Sequence, residues 1–340
     1  MTIGIHSYYD VYNHDDNLFS AAAFPIGDGL EKPFVQLKAL AESRGFEVHS
    51  CNLQSAVEFD IVIVLDYPER EAPLLERLFA AGKVCLLVIL ESEIIVSANW
   101  NPDNYRGFRR VFSWNPIHNK AHGCRDLPLA QNLAAVQPVV PLQQRKFACL
   151  MASHKRSKDA RELYTTRRKI IRWYEKNASD QFDLFGFGWD SVEYRFSERI
   201  RKYCPPISRW VLPPFPSFRG SVKNKRSALS QYQFNYCLEN VRDIPGYISE
   251  KIFDAMAAGC IPLYWGDKTA KDSIPSDCWI DVSSFANTKE LHRYLINLTW
   301  DEKQTFQERG HAFLQSPVAH RFSADHFATT LLRAAEELYV

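Results

Sequence analysis

The chain has 340 residues, 46% hydrophobic, 13% aromatic and 24% charged. That composition excludes a disordered or low-complexity chain and suits two domains of ordinary size. The net charge of +1 hides an asymmetry, with 12 Lys+Arg against 17 Asp+Glu in residues 1–145 and 29 against 23 in residues 146–340. The second half is therefore the one equipped for an anionic ligand, although a solvated basic surface explains part of that excess.

The opening segment lacks the basic and apolar regions of a secretory signal. The short apolar runs Ile3–His6, Phe46–Ser50, Phe59–Leu65, Lys83–Leu90 and Val111–Trp114 suit buried parallel strands. The longest uninterrupted one, Val84–Leu90, has seven residues, where a membrane span needs ~20. Between the strands, Glu31–Arg44 is amphipathic, with Phe34, Leu37 and Ala41 on one face and Gly45 after it. Glu69–Ala81 predicts a second helix ending at Gly82. Residues 130–144, with Pro138 and Pro141, read as a linker. A second α/β pattern follows: strands at Lys146–Ala152, Phe182–Phe185, Phe234–Leu238 and Ile261–Tyr264, and helices at Asp159–Asn177 and Ser249–Ala258. Helices at Thr288–Leu298, Asp301–Leu314 and Phe322–Leu338 close the chain. The pattern predicts an α/β protein with Rossmann-like domains at 1–145 and 146–320, and a helix in 321–340 crossing back to the first. Such folds bind ligands in the crevice at the strands' carboxyl ends.

Eight scattered cysteines without a C-x-x-C pair read as reduced core thiols, so a cytoplasmic location is expected. Glu91-Ser-Glu93 has the acidic-x-acidic form of a metal pair, but no Asp-x-Asp occurs in the chain. His118-x3-His122-x-Cys124 lacks a fourth ligand nearby and reads as a loop. No metal or other cofactor is expected.

The most informative stretch is Phe234-Asn-Tyr-Cys-Leu-Glu-Asn240, Gly246-Tyr-Ile-Ser-Glu-Lys-Ile-Phe-Asp-Ala-Met-Ala-Ala-Gly259 and Ile261-Pro-Leu-Tyr-Trp-Gly266. Ser249 can cap the helix, whose free N–H groups suit a pyrophosphate. Lys251 in the first turn opposes the helix dipole unless something anionic lies there. Glu250 can accept hydrogen bonds from ribose hydroxyls. An ordinary amphipathic helix with a surface Glu-Lys pair fits the same residues.

This run, with residues 223–232 before it and 280–285 after it, resembles the signature of glycosyltransferase family 10, the α1,3/α1,4-fucosyltransferases. The resemblance covers about residues 221–285 well, 146–176 moderately and the rest weakly. It implies a GT-B fold that binds a GDP-sugar donor, GDP-fucose, in the second domain and moves fucose with inversion to a glycan hydroxyl. Asn240, Tyr247, Glu250, Lys251 and, less securely, Lys225 match donor-holding positions. One arginine near 167–168 matches a phosphate-binding arginine, and Arg168 fits better by its distance to Trp173. Glu91, just past an apolar strand, matches the family's general base, with Glu93 as its competitor.

Between Arg195 and Arg226 the chain has nine Lys+Arg, one Glu and five prolines, interleaved with Trp210, Phe215 and Phe218. Trp210 and Phe215 are candidates for gripping the acceptor. Peripheral contact with an anionic membrane and a rigid connector are competing readings of the same loop. A relative with another nucleotide-sugar or acceptor, or a GDP-sugar-binding protein without turnover, fits the same motif. No nucleic-acid partner is expected, and the oligomeric state is left open.

Overall fold

The computed structural model describes residues 1–21, 29–136, 140–190 and 215–339. Two all-parallel sheets organise them. The first joins β1 (Thr2–Ser7), β2 (Glu47–Ser50), β3 (Ile61–Leu65), β4 (Val84–Ile89), β5 (Arg110–Ser113) and β6 (Arg125–Asp126) in the order β2-β1-β3-β4-β5-β6. The second joins β7 (Lys146–Met151), β8 (Phe182–Phe185), β9 (Tyr232–Leu238), β10 (Ile261–Trp265) and β11 (Ile280–Asp281) in the order β11-β10-β9-β7-β8. Each order reverses direction once, between β1 and β3 and between β7 and β9. At such a point the loops leaving neighbouring strands diverge to opposite faces and open a crevice.

The central strands read as unbroken apolar runs because both their faces are covered. Ile61–Leu65 is buried at every position. On one side of the first sheet, α1 (Lys32–Glu42) packs with the last helix, α9 (Ala324–Leu338); Phe34 meets Phe327 edge-on, with ring centres 5.7 Å apart. Arg44–Glu336 and Arg110–Glu337 ion pairs of 2.8 and 2.7 Å fasten that helix to the first half. The other side is covered by α2 (Ala72–Ala80). In the second half, α4 (Tyr164–Asn177) and α7 (Thr288–Asn297) cover one face. Here α6 (Glu250–Ala257) and α8 (Trp300–Leu314) cover the other.

Local chemistry explains where the elements differ from the sequence expectation. Residues 118–124 are not a loop: helix α3 (Pro116–His122) begins at Asn115, whose side chain caps Ile117 and His118, and ends at Gly123 with φ +71°. Helix α4 starts at Tyr164 rather than Asp159, because the Asp159 carboxylate binds the backbone N–H and guanidinium of Arg161 and holds a turn. The presumed linker is tied down. Gln131 N–H donates to the Phe322 carbonyl at 2.6 Å and Val136 N–H to that of Ala257 at 2.9 Å. Buried Arg226, in the short helix α5 (Lys225–Leu229), donates to the carbonyls of Asn132 and Ala134 and pairs with Asp254 at 2.8 Å.

The two halves touch through a small apolar cluster. Trp114 of the first half packs with Val241, Ile244 and Tyr247 of the second, the Trp114 and Tyr247 ring centres lying 5.1 Å apart. Gly246 permits this approach: its φ is +82°, and a Cβ there would stand 2.1 Å from the Trp114 carbonyl oxygen. Gly246→Ala should therefore cost at least about 2 kcal/mol. Gly45→Ala, at φ +78° with open space around it, should cost about 1 kcal/mol. Urea unfolding measures both; equal costs would show that the Trp114 contact simply gives way.

Candidate functional site

A cleft of about 1130 Å³ lies between the carboxyl ends of the two sheets. Its lining includes Leu90, Glu91 and Leu129 from the first half and Met151, Arg167, Lys225, Asn240, Tyr247, Ser249, Glu250 and Lys251 from the second. Seven cationic side chains line it, at positions 32, 155, 167, 223, 225, 226 and 251, against the three carboxylates at 31, 91 and 250. A cleft of that balance favours an anion.

The wall of the second half is built around a residue the sequence reading passed over. Glu239, at the end of β9, is fully buried. It accepts the Ser249 N–H at 2.8 Å, the Ser249 hydroxyl at 2.7 Å and the Lys251 ammonium at 3.1 Å. The Ser249 hydroxyl also accepts from Lys251 at 2.7 Å. This corrects the expected helix cap, since the Ser249 side chain makes no capping bond to α6. The amides at the helix start are left uncapped by it, beside the cleft.

It also revises the argument from Lys251. Its charge already has a carboxylate partner, so the dipole penalty is met from within the protein. Burial works against the ammonium, but Glu239 and Glu250 outweigh it and hold the Lys251 pKa above its ordinary value. Burial likewise opposes the Glu250 carboxylate, while Lys251 at 3.7 Å and Lys225 at 3.8 Å hold it down to about 2. Glu250 is therefore ionised across the neutral range.

The structure separates the two candidate arginines. Arg167 is buried against the cleft floor, donating to the carbonyls of Leu238 and Glu239 at 2.6 and 2.9 Å and to the Asn240 side chain at 3.1 Å. Arg168 turns outward, bonded to the Lys155 carbonyl and the Thr165 hydroxyl, and does not line the cleft. One residue along a helix is a turn of 100°, and spacing to Trp173 could not choose the face. Phe215 is 5% exposed, packed against Trp189 and beneath the Arg172 guanidinium. It is a core residue, not an acceptor contact. Trp210 and most of the basic loop lie outside the described residues.

On the opposite wall, Glu91 stands two residues past the end of β4. Buried Asp66, in the left-handed conformation at φ +62°, accepts the N–H groups of Leu90 and Glu91 and the Asn99 amide through one oxygen, at 2.7, 2.9 and 2.7 Å. Burial pushes the Asp66 carboxyl up to about 7, and the charge of Glu91 adds to that. The indoles of Trp100 and Trp114 donate to the carbonyls of Glu91 and Leu90 at 3.2 and 3.1 Å. The Tyr9 hydroxyl donates to Glu91 Oε1 at 2.7 Å. Glu93 instead enters a separate pocket of about 190 Å³ and pairs across the halves with Arg161 at 2.5 Å.

Residues 199–308 match the profile described as glycosyltransferase family 10 (fucosyltransferase) C-term. The chain is 45% identical over 76 residues to an alpha-(1,3)-fucosyltransferase of Helicobacter pylori, a stretch covering 22% of this chain and 16% of that protein. Its fold resembles a solved alpha1,3-fucosyltransferase with GDP-fucose, at TM-score 0.52 and 16% identity, over 98% of this chain and 89% of the other. It also resembles an alpha-glucosyltransferase in complex with UDP and DNA, at TM-score 0.61 and 12% identity, over 98% and 99% of the two chains. The two facing Rossmann-like sheets are the GT-B arrangement of these glycosyltransferases.

Glu239→Gln removes one partner of a buried ion pair and should destabilise the protein by about 3 kcal/mol. Urea unfolding beside the wild type measures it. A loss under about 0.5 kcal/mol would mean that Glu250 alone holds Lys251.

Proposed function

We propose that this chain, which contains a glycosyltransferase family 10 segment, transfers L-fucose from GDP-β-L-fucose to a glycan hydroxyl with inversion, giving an α-linkage. The observation that carries the proposal is the meeting of Glu91 and the cationic α6 start in one cleft, from opposite walls. The diphosphate lies against Lys251 and the free amides opening α6, while Glu250 receives the ribose hydroxyls. Arg167, in place of Arg168, backs the phosphate end from the cleft floor, and Lys225, Asn240 and Tyr247 complete the wall. Electrostatic stabilisation of the departing GDP by this fixed charge is the main catalytic effect, and it uses no metal.

Glu91 takes the proton from the acceptor hydroxyl as the new bond to the anomeric carbon forms. Its backbone is fixed by Asp66 and the two indoles, which suits a base that must hold its position relative to a bound sugar. The seven cysteines among the described residues are buried and free, which supports a reducing compartment such as the cytoplasm. No described helix is long and apolar enough to cross a membrane.

Two variants test both walls in one experiment, with GDP affinity from titration calorimetry and kcat from product formation. Glu91→Gln should lower kcat about 10²–10⁴-fold and change GDP affinity less than about twofold. Lys251→Ala should weaken GDP about tenfold or more, the effect of losing a charge-assisted hydrogen bond. A fully active Glu91→Gln protein would remove Glu91 as the base. GDP binding with no transfer to any glycan would leave a nucleotide-sugar-binding protein.

A further inference from the structure

The segment leaving β1, Tyr8-Tyr9-Asp10-Val11-Tyr12, takes no part in the donor wall. We propose that it is the acceptor platform, on which Tyr8 supplies a face for a sugar ring and Tyr9 fixes the Glu91 carboxylate. The inference rests on the transferase reading above.

The segment leaves β1 where the strand order of the first sheet reverses, the place at which such sheets open a crevice. Its backbone is fixed as soon as it leaves the strand. Tyr8 N–H donates to the Leu65 carbonyl at 3.0 Å, and Tyr9 N–H donates to the Ser7 hydroxyl at 3.2 Å. Buried Asn13 closes the turn, accepting the Ser7 N–H at 2.6 Å and donating to the Ser7 carbonyl at 2.9 Å.

Three tyrosines pack edge-on above this turn. The Tyr8 and Tyr9 ring centres are 5.4 Å apart at 87°, and those of Tyr9 and Tyr12 are 6.3 Å apart at 81°. Even so, Tyr8 is 42% and Tyr9 44% exposed. Edge-to-face packing fixes ring orientation and covers one face of one ring in each pair, so the exposed ring surface can still meet a ligand, and a tyrosine loses little conformational entropy on binding. A hexose ring presents a face of C–H groups, which carry the positive partial charge that an aromatic face attracts, with its hydroxyls directed outward from the ring.

Tyr9 places this surface beside the chemistry. Its hydroxyl donates to Glu91 Oε1, leaving Oε2 to accept the proton of the incoming hydroxyl. Partial burial, and then the charge of Glu91, push the Tyr9 phenol above its ordinary pKa, so it stays a donor. Tyr9 is thus a positioning residue for the base, and the aromatic contact expected at Phe215 comes from the first half instead.

The test uses the full chain, GDP-fucose and the β-linked hexose disaccharide that the wild type turns over fastest. Both side chains are substantially exposed, so their truncation spares the core. Tyr8→Ala should raise the acceptor KM roughly tenfold with kcat within threefold, the scale of a lost aromatic contact. Tyr9→Phe should lower kcat roughly tenfold or more, the scale of a hydrogen bond to a charged group. That loss should vanish when Tyr9→Phe is added to Glu91→Gln, because Tyr9 acts through Glu91. GDP affinity should stay within twofold in both single variants. An unchanged acceptor KM in Tyr8→Ala, or an equal Tyr9→Phe loss with and without Glu91, would overturn the platform. No turnover by the wild type on any disaccharide would instead sink the transfer reading itself, and the platform with it.

Discussion

The wall that the second half gives the cleft depends on one buried carboxylate. Glu239 accepts three hydrogen bonds at the end of β9, and each fixes something the cleft uses. The bond to the Ser249 N–H sets where α6 begins. The bond to the Ser249 hydroxyl keeps that side chain from capping the helix. The bond to Lys251 keeps an ammonium charged in a half-buried site. Without Glu239, Glu250 would be left to oppose the burial of the ammonium, and the serine would be free to fold back onto the helix amides. The helix start would then lose much of its attraction for phosphate.

The first half applies the same logic with different residues. Asp66 gathers three N–H donors at one oxygen and holds a left-handed backbone conformation, which is rare for a residue with a side chain and is sustained here by those bonds. They set the direction in which the chain leaves β4, and so where Glu91 stands. Opposing walls of a crevice are useful only at a fixed separation. That separation is set by the Trp114–Tyr247 contact, the close approach of Gly246 and the Glu93–Arg161 pair.

Much of this was legible in the sequence, because burial on two faces leaves a simple mark. Apolar runs such as Ile61–Leu65 and Ile261–Tyr264 suited interior parallel strands, and Gly45 and Gly82 marked helix ends by their tolerance of positive φ. The motif around Ser249–Lys251 pointed to residues that do line the cleft, through its helix start and its resemblance to a known signature. Glu239, Asp66 and Tyr9 were missed for a common reason. Each acts through a partner far along the chain, and a lone Glu, Asp or Tyr at a strand end carries no local pattern. The nearest signal for Glu239 was its place within Phe234–Asn240, where an acidic residue ending a buried strand needs a donor set. Phe215 misled because aromatic residues among prolines and arginines look alike whether they face solvent or core. Spacing favoured Arg168, but helix phase turns Arg167 to the cleft, where it bonds three acceptors at the end of β9, and Arg168 away from it.

A crystal structure of the protein with GDP bound would test the central claim most directly. Phosphate oxygens should lie within hydrogen-bonding distance of Lys251 Nζ and the amides opening α6, with the ribose beside Glu250 and Glu91 across the cleft, its carboxylate still bonded to Tyr9. GDP bound outside this cleft, or within it with the phosphates turned away from Lys251 and α6, would contradict it.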